Sequence, residues 1–157
     1  MNKYAGYINH GSYNISADDT LATESLVSLI VGLKKFFKVP IGYFLIDKIT
    51  AAQQAQMLRD AIIHVTNAGF NVEALTCNGS YTNQTTARSL GCCLDADSLV
   101  CSFPHPQFET KTIASIMDAC HMLKNIRNAF GDWGVLKHGE DFIDWKFGEA
   151  LHKLQSS

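Results

Sequence analysis

The sequence predicts an α/β domain built on a mixed or largely parallel sheet. Two observations carry that expectation. Short apolar or alternating runs at residues 4–9, 40–47 and 72–77 read as strands, and longer stretches between them carry apolar residues at three- and four-residue spacing, the mark of amphipathic helices. The resulting order, strand, helix, strand, helix, strand, is that of layered α/β architecture. With 157 residues, of which 46% are hydrophobic and 18% charged, the chain is long enough and apolar enough for one domain with a proper core.

Taken in order, YAGYIN at 4–9 reads as a strand closed by the turn-prone His10-Gly11-Ser12, and residues 14–20 as a polar loop. Over 21–37, Leu26, Leu29, Ile30, Leu33 and Phe37 form a helical stripe, with Asp19 or Thr20 as its cap and Lys34-Lys35 complementing the dipole at its end. PIGYFLID at 40–47 is the most apolar strand candidate and is expected to be buried on both faces. Thr50 caps a helix over 51–68 that Gly69 stops. A helix over 83–90 ended by Gly91, an apolar piece at 99–103 and a strand at 111–117 follow. A helix begins near Ala119, 131–139 reads as a loop, and 142–154 reads as a last helix with Phe142, Trp145, Phe147, Leu151 and Leu154 as its buried positions.

Composition narrows the function. The formal charge is −2, so broad neutralisation of a phosphate backbone is not supported. Only local basic groups exist, Lys34, Lys35 and Lys38 in one and Lys124 and Arg127 in another. The five cysteines, Cys77, Cys92, Cys93, Cys101 and Cys120, lack metal-ligand spacing and are expected to be buried thiols in a reducing compartment. Neither a secretory leader nor a membrane span is expected.

The stretch most suggestive of chemistry is 70–90. An apolar strand ends at Asn78-Gly79, and the polar residues Ser80 to Thr86 follow it. In open α/β folds, sites gather where the carboxyl end of a strand meets a loop and a helix start. The residue at that tip, Asn78, is an amide where a catalyst would use a carboxylate. Asp118 and His121 stand three apart at another strand-to-helix junction. They suit either a metal or phosphate contact or a helix cap beside a packed histidine. Lys124 and Arg127 repeat the step and can reach DNA phosphates or form a solvated face. His105, between two prolines, reads as loop geometry, and Trp133 and Trp145 read as core. Asp18, Asp19, Asp95 and Asp97 read as solubilising loop carboxylates.

Read together, YAGYIN-x-G, TESLVSLIVGL, KVPIGYFLI, LTCNG-xx-xN, FPHP, DACHMLKNIRNAFG and DWKFGEALHKLQ resemble, in order and over nearly the whole chain, the RNase H-like catalytic domain of P-element-type and THAP-domain transposases. The resemblance implies an RNase H-like mixed sheet flanked by helices over residues 1–130 and the start of a helical, GTP-binding insertion domain over 131–157. It implies a nuclear enzyme of cut-and-paste DNA transposition. Three carboxylates would hold two Mg²⁺ ions for phosphodiester cleavage and strand transfer.

Against that pattern, Asn78 stands in the place of a family Asp, and Asn9 where relatives commonly carry another. Asp118 is the remaining metal candidate, and Lys124 and Arg127 are the DNA-contact candidates. The resemblance further implies that the family's first strand, with its Asp-Glu, and its distant Glu lie outside this chain. The expectation is therefore a transposase fragment that does not catalyse by itself and holds neither Mg²⁺ nor GTP tightly. The alternative is a domesticated module that binds DNA or protein. Unpaired sheet edges would call for a second copy, a transposase-like partner or the rest of a longer protein.

Overall fold

The computed structural model describes residues 6–11 and 20–156. The start of the expected first strand, Asp18, Asp19 and most of the 14–20 loop lie outside the described residues. Residues 6–9 make isolated antiparallel bridges, Tyr7 with Leu21 and Asn9 with Leu45, where Asn9 N donates to Leu45 O at 2.9 Å and Leu45 N to Asn9 O at 3.0 Å.

The helix expected over 21–37 does not form. Strand β1 (Glu24–Val31) occupies that segment and pairs antiparallel with β2 (Lys38–Ile46), in a register running from Glu24 opposite Ile46 to Val31 opposite Lys38, with a bulge between Ser28 and Leu29. The burial of β1 alternates with period two, Leu26, Ser28 and Ile30 inward and Val27, Leu29 and Val31 outward. Val27, Ile30 and Val31 are β-branched and suit a pleated surface better than a helix interior. Lys34 and Lys35 therefore lie in a turn and complement no helix dipole. Nor is β2 buried on both faces. Only Ile46 is buried, whereas Val39, Ile41 and Tyr43 are exposed.

Helix α1 (Ala51–Asn67) starts with a reciprocal cap: Gln53 N donates to Thr50 Oγ1 at 3.2 Å and Thr50 N to Gln53 Oε1 at 3.0 Å. Strand β3 (Ala74–Cys77) follows, then helix α2 (Tyr81–Leu90), capped by Ser80. Gly91 ends α2 with φ of 126°, and a Cβ there would stand 3.2 Å from Pro104 Cδ, so both backbone and space favour glycine. After one turn of 3₁₀ helix at Ala96–Ser98 come β4 (Ser102–Pro104) and β5 (Thr112–Met117). The sheet order is β3-β5-β4, parallel then antiparallel, the mixed sheet flanked by helices that was expected.

Helix α3 (Ala119–Trp133) leads into a hairpin of β6 (Val135–His138) and β7 (Asp141–Asp144), and helix α4 (Lys146–Gln155) closes the described chain. The expected loop at 131–139 is thus a helix end and a strand, and Phe142 belongs to β7 rather than to a helix. Phe142, Phe147, Leu151 and Leu154 are exposed, not buried. Trp145 alone of that set is half-buried, edge-on to Phe130 with ring centroids 5.2 Å apart.

The core joins α1, α2 and the three-stranded sheet through Ala55, Ile62, Ala87, Leu90, Cys92, Phe103 and Ile113. Small side chains at Ala55 and Ala87 allow the two helices to lie close above the sheet. Truncating Ile113, which is 0% exposed, to alanine is expected to lower unfolding free energy by about 2–5 kcal/mol. Phe36→Ala, at a side chain 97% exposed, should change it by less than about 0.5 kcal/mol, both measured by urea titration.

Candidate functional site

The parallel register of β3 and β5 sets Cys77 opposite Met117, and Asp118 N donates to Cys77 O at 2.8 Å. Asn78 and Asp118 are therefore the first residues beyond the carboxyl ends of adjacent parallel strands. Each opens into a helix, α2 after Asn78 and α3 after Asp118. Gly79 lies between those helices: a Cβ there would be 2.5 Å from Met122 Sδ and 3.4 Å from Asn125 Nδ2, so α3 closes directly over the turn.

Asn78 is exposed but held. Its Oδ1 accepts from Ser80 N at 3.1 Å and from Asn83 Nδ2 at 2.8 Å, while its backbone O accepts from Asn83 Nδ2 at 3.2 Å. Behind it, Gln54 Nε2 donates to Asn83 Oδ1 at 2.8 Å and Thr86 Oγ1 to Gln54 Oε1 at 3.2 Å. Asn83 closes the LTCNG-xx-xN motif, but Gln54 and Thr86 did not stand out in the sequence. The available signal was a glutamine on the apolar stripe of α1, beside Ala55 and Met57.

Asp118 combines the two roles its spacing allows. Oδ1 accepts from Cys120 N at 3.1 Å and caps α3, while Oδ2 meets His121 Nδ1 at 3.0 Å. The His121 hydrogen bond first, and the Cys120 amide second, hold its carboxyl below the ordinary carboxylate range.

The other candidates are not gathered here. Asn9 pairs with Leu45 in a different sheet, its Oδ1 accepting from Gly11 N at 2.8 Å. Lys124 and Arg127 are exposed on α3, and the Arg127 guanidinium is tied to Asn128 Oδ1 at 2.8 and 3.2 Å. His105 is buried: Nδ1 accepts from Gln107 N, so Nε2 donates to Thr66 Oγ1 at 3.2 Å, a loop-fixing role. Trp133 is exposed, against expectation. The thiols also differ from expectation, since Cys92 is buried, Cys77 and Cys93 half-buried, and Cys101 and Cys120 exposed. Burial pushes the Cys77 and Cys92 thiols up, away from reactivity. Among the described residues, no three His, Cys, Asp or Glu side chains converge as a metal site, and no helix is long and apolar enough to cross a membrane.

A mixed sheet that delivers polar side chains at neighbouring strand ends, flanked by helices, is RNase H-like. Its fold is shared with a solved Drosophila P element transposase strand transfer complex, at a TM-score of 0.68 and 21% identity over 95% of this chain and 33% of that one. The family model for the TNP-like RNase H N-terminal domain matches residues 1–91, and that for the TNP-like GTP-binding insertion domain matches residues 120–157. The chain is 32% identical over 151 residues to the human protein DNA transposase THAP9, covering 96% of this chain and 17% of that protein's length. The chain belongs to the P-element/THAP-type transposase family.

Because the Asp118 pKa is lowered, its cap on α3 is fully formed above the ordinary carboxylate range, near 3.9, and is lost as pH falls through the lower folded value. The Cys120 backbone amide proton shift should titrate with a midpoint below the ordinary carboxylate range by NMR, and Asp118→Asn should abolish that step.

Proposed function

We propose that this chain is part of a P-element-like cut-and-paste transposase in which residues 1–130 carry the RNase H-like part and residues 131–157 open the insertion domain, and that by itself it does not cleave DNA. Asn78 carries this reading. A carbonyl oxygen has two lone pairs, and Ser80 N and Asn83 Nδ2 already use both at Oδ1. A hard divalent cation is held more weakly by a neutral amide than by a carboxylate, and the amide oxygen at position 78 is already saturated. Neighbouring Asp118 is a carboxylate, each oxygen engaged once, by Cys120 N and by His121, so these two strand ends supply one acidic side chain. The donor set does not suit two Mg²⁺ ions, and no step through metal follows from it. The same reading has the chain alone not holding guanine nucleotide tightly, supported by α3 and α4, neither of which buries a residue among those described.

Incubated with duplex DNA and Mg²⁺ or Mn²⁺, the folded chain is expected to yield no nicked product above a metal-free control. Metal-dependent nicking that disappears in Asp118→Ala would overturn the proposal.

A second reading, a retained module that contacts DNA, is favoured by the exposure of Lys124 and Arg127 on the helix that leaves the strand ends. It makes a distinct expectation: weak, salt-sensitive binding to DNA. In Lys124→Ala with Arg127→Ala, the slope of log affinity against log salt should flatten by about 2, roughly 0.9 per lost phosphate contact. An unchanged slope removes both residues from the interface.

A further inference from the structure

We infer that Asn83, Gln54 and Thr86 form a positioning relay whose task is to aim the side chain of residue 78 at the strand ends. The polarity of the relay is fixed by two backbone groups. Ser80 N–H can only donate, so the Asn78 atom 3.1 Å away is its oxygen. The Asn78 backbone carbonyl can only accept, so the Asn83 atom 3.2 Å away is its NH₂. Asn83 must then offer its oxygen to Gln54, and Gln54 must donate through Nε2 at 2.8 Å. The remaining Gln54 oxygen faces Thr86, whose hydroxyl donates at 3.2 Å. No amide in this series can be turned over without setting donor against donor or acceptor against acceptor.

Burial makes the arrangement costly to disturb. Gln54 is 7% exposed and Thr86 2% exposed, so a lost bond strands a polar atom away from water. The chain of bonds thus runs from a core threonine to an exposed side chain through residues from two helices, with sequence separations of 32, 29 and 5 residues. What it presents to position 78 is an N–H donor, which suits a carboxylate oxygen as well as an amide oxygen. The scaffold that would orient an acid at this strand end is therefore intact, although an amide occupies it. This goes beyond the reading proposed above and does not depend on it, since it rests on hydrogen bonds and not on activity.

The test is side-chain NMR of the full 157-residue chain, with χ1 of residue 78 read from three-bond couplings. A single staggered rotamer is expected in the wild type and in Asn78→Asp. Averaging among staggered wells is expected in Asn83→Ala and in Gln54→Met, which keeps volume but removes the donor. Gln84→Ala removes only the neighbouring 3.0 Å bond to Gly79 O and should leave the rotamer unchanged. If Gln54→Met unfolds, Thr86→Val reads the same link from its far end. Persistence of one rotamer in either relay variant, or averaging in the wild type, overturns the relay, and neither result bears on DNA cleavage.

Discussion

The arrangement of this molecule rests on the parallel pairing of β3 with β5. That ladder sets Cys77 beside Met117 and, one residue on, brings Asn78 and Asp118 to a common edge. On its other edge β5 pairs with β4, setting Ile113 opposite Phe103 in the core under α1 and α2. Slipping the register by one residue would turn the inward residues Ile113 and Ser115 to the other face and separate the two strand ends. Core and site both depend on β5 and the two ladders that flank it.

Much of this was legible in the sequence where local signals agreed. Thr50 as a cap, the amphipathic run after it and Gly69 beyond it predicted α1 almost to the residue. Asp118 before an amphipathic run did the same for the start of α3, which runs on to Trp133 into the expected loop. Residues 21–37 misled because their leucines fall at helical spacing by coincidence. Both faces of β1 are apolar, so the alternation that marks a strand is hidden in hydrophobicity and emerges only in burial. The β6–β7 hairpin was missed for a different reason. Its strands are four residues each, and the turn signal at Gly139 lies within a polar stretch that also reads as loop.

The site was legible in position but not in wiring. That a strand ends at Asn78 is written in the switch from apolar to polar residues, and the family resemblance adds that a carboxylate belongs there. That the amide is held from the core through Gln54 is not. Such a contact joins residues about 30 positions apart, and nothing local in a helix names the partner that a buried glutamine will meet. Long-range polar contacts become visible only when helices are docked.

Helix α3 joins the strand ends to the β6–β7 hairpin as one unbroken rod. Its 15 residues span roughly 22 Å, anchored at the sheet by Asp118 and by the contact of Met122 with the Gly79 turn. Such a rod is a lever with a short arm at the strand ends and a long arm at Gly134. By geometry alone, a tilt of about 10° at the anchor displaces the far end by about 4 Å.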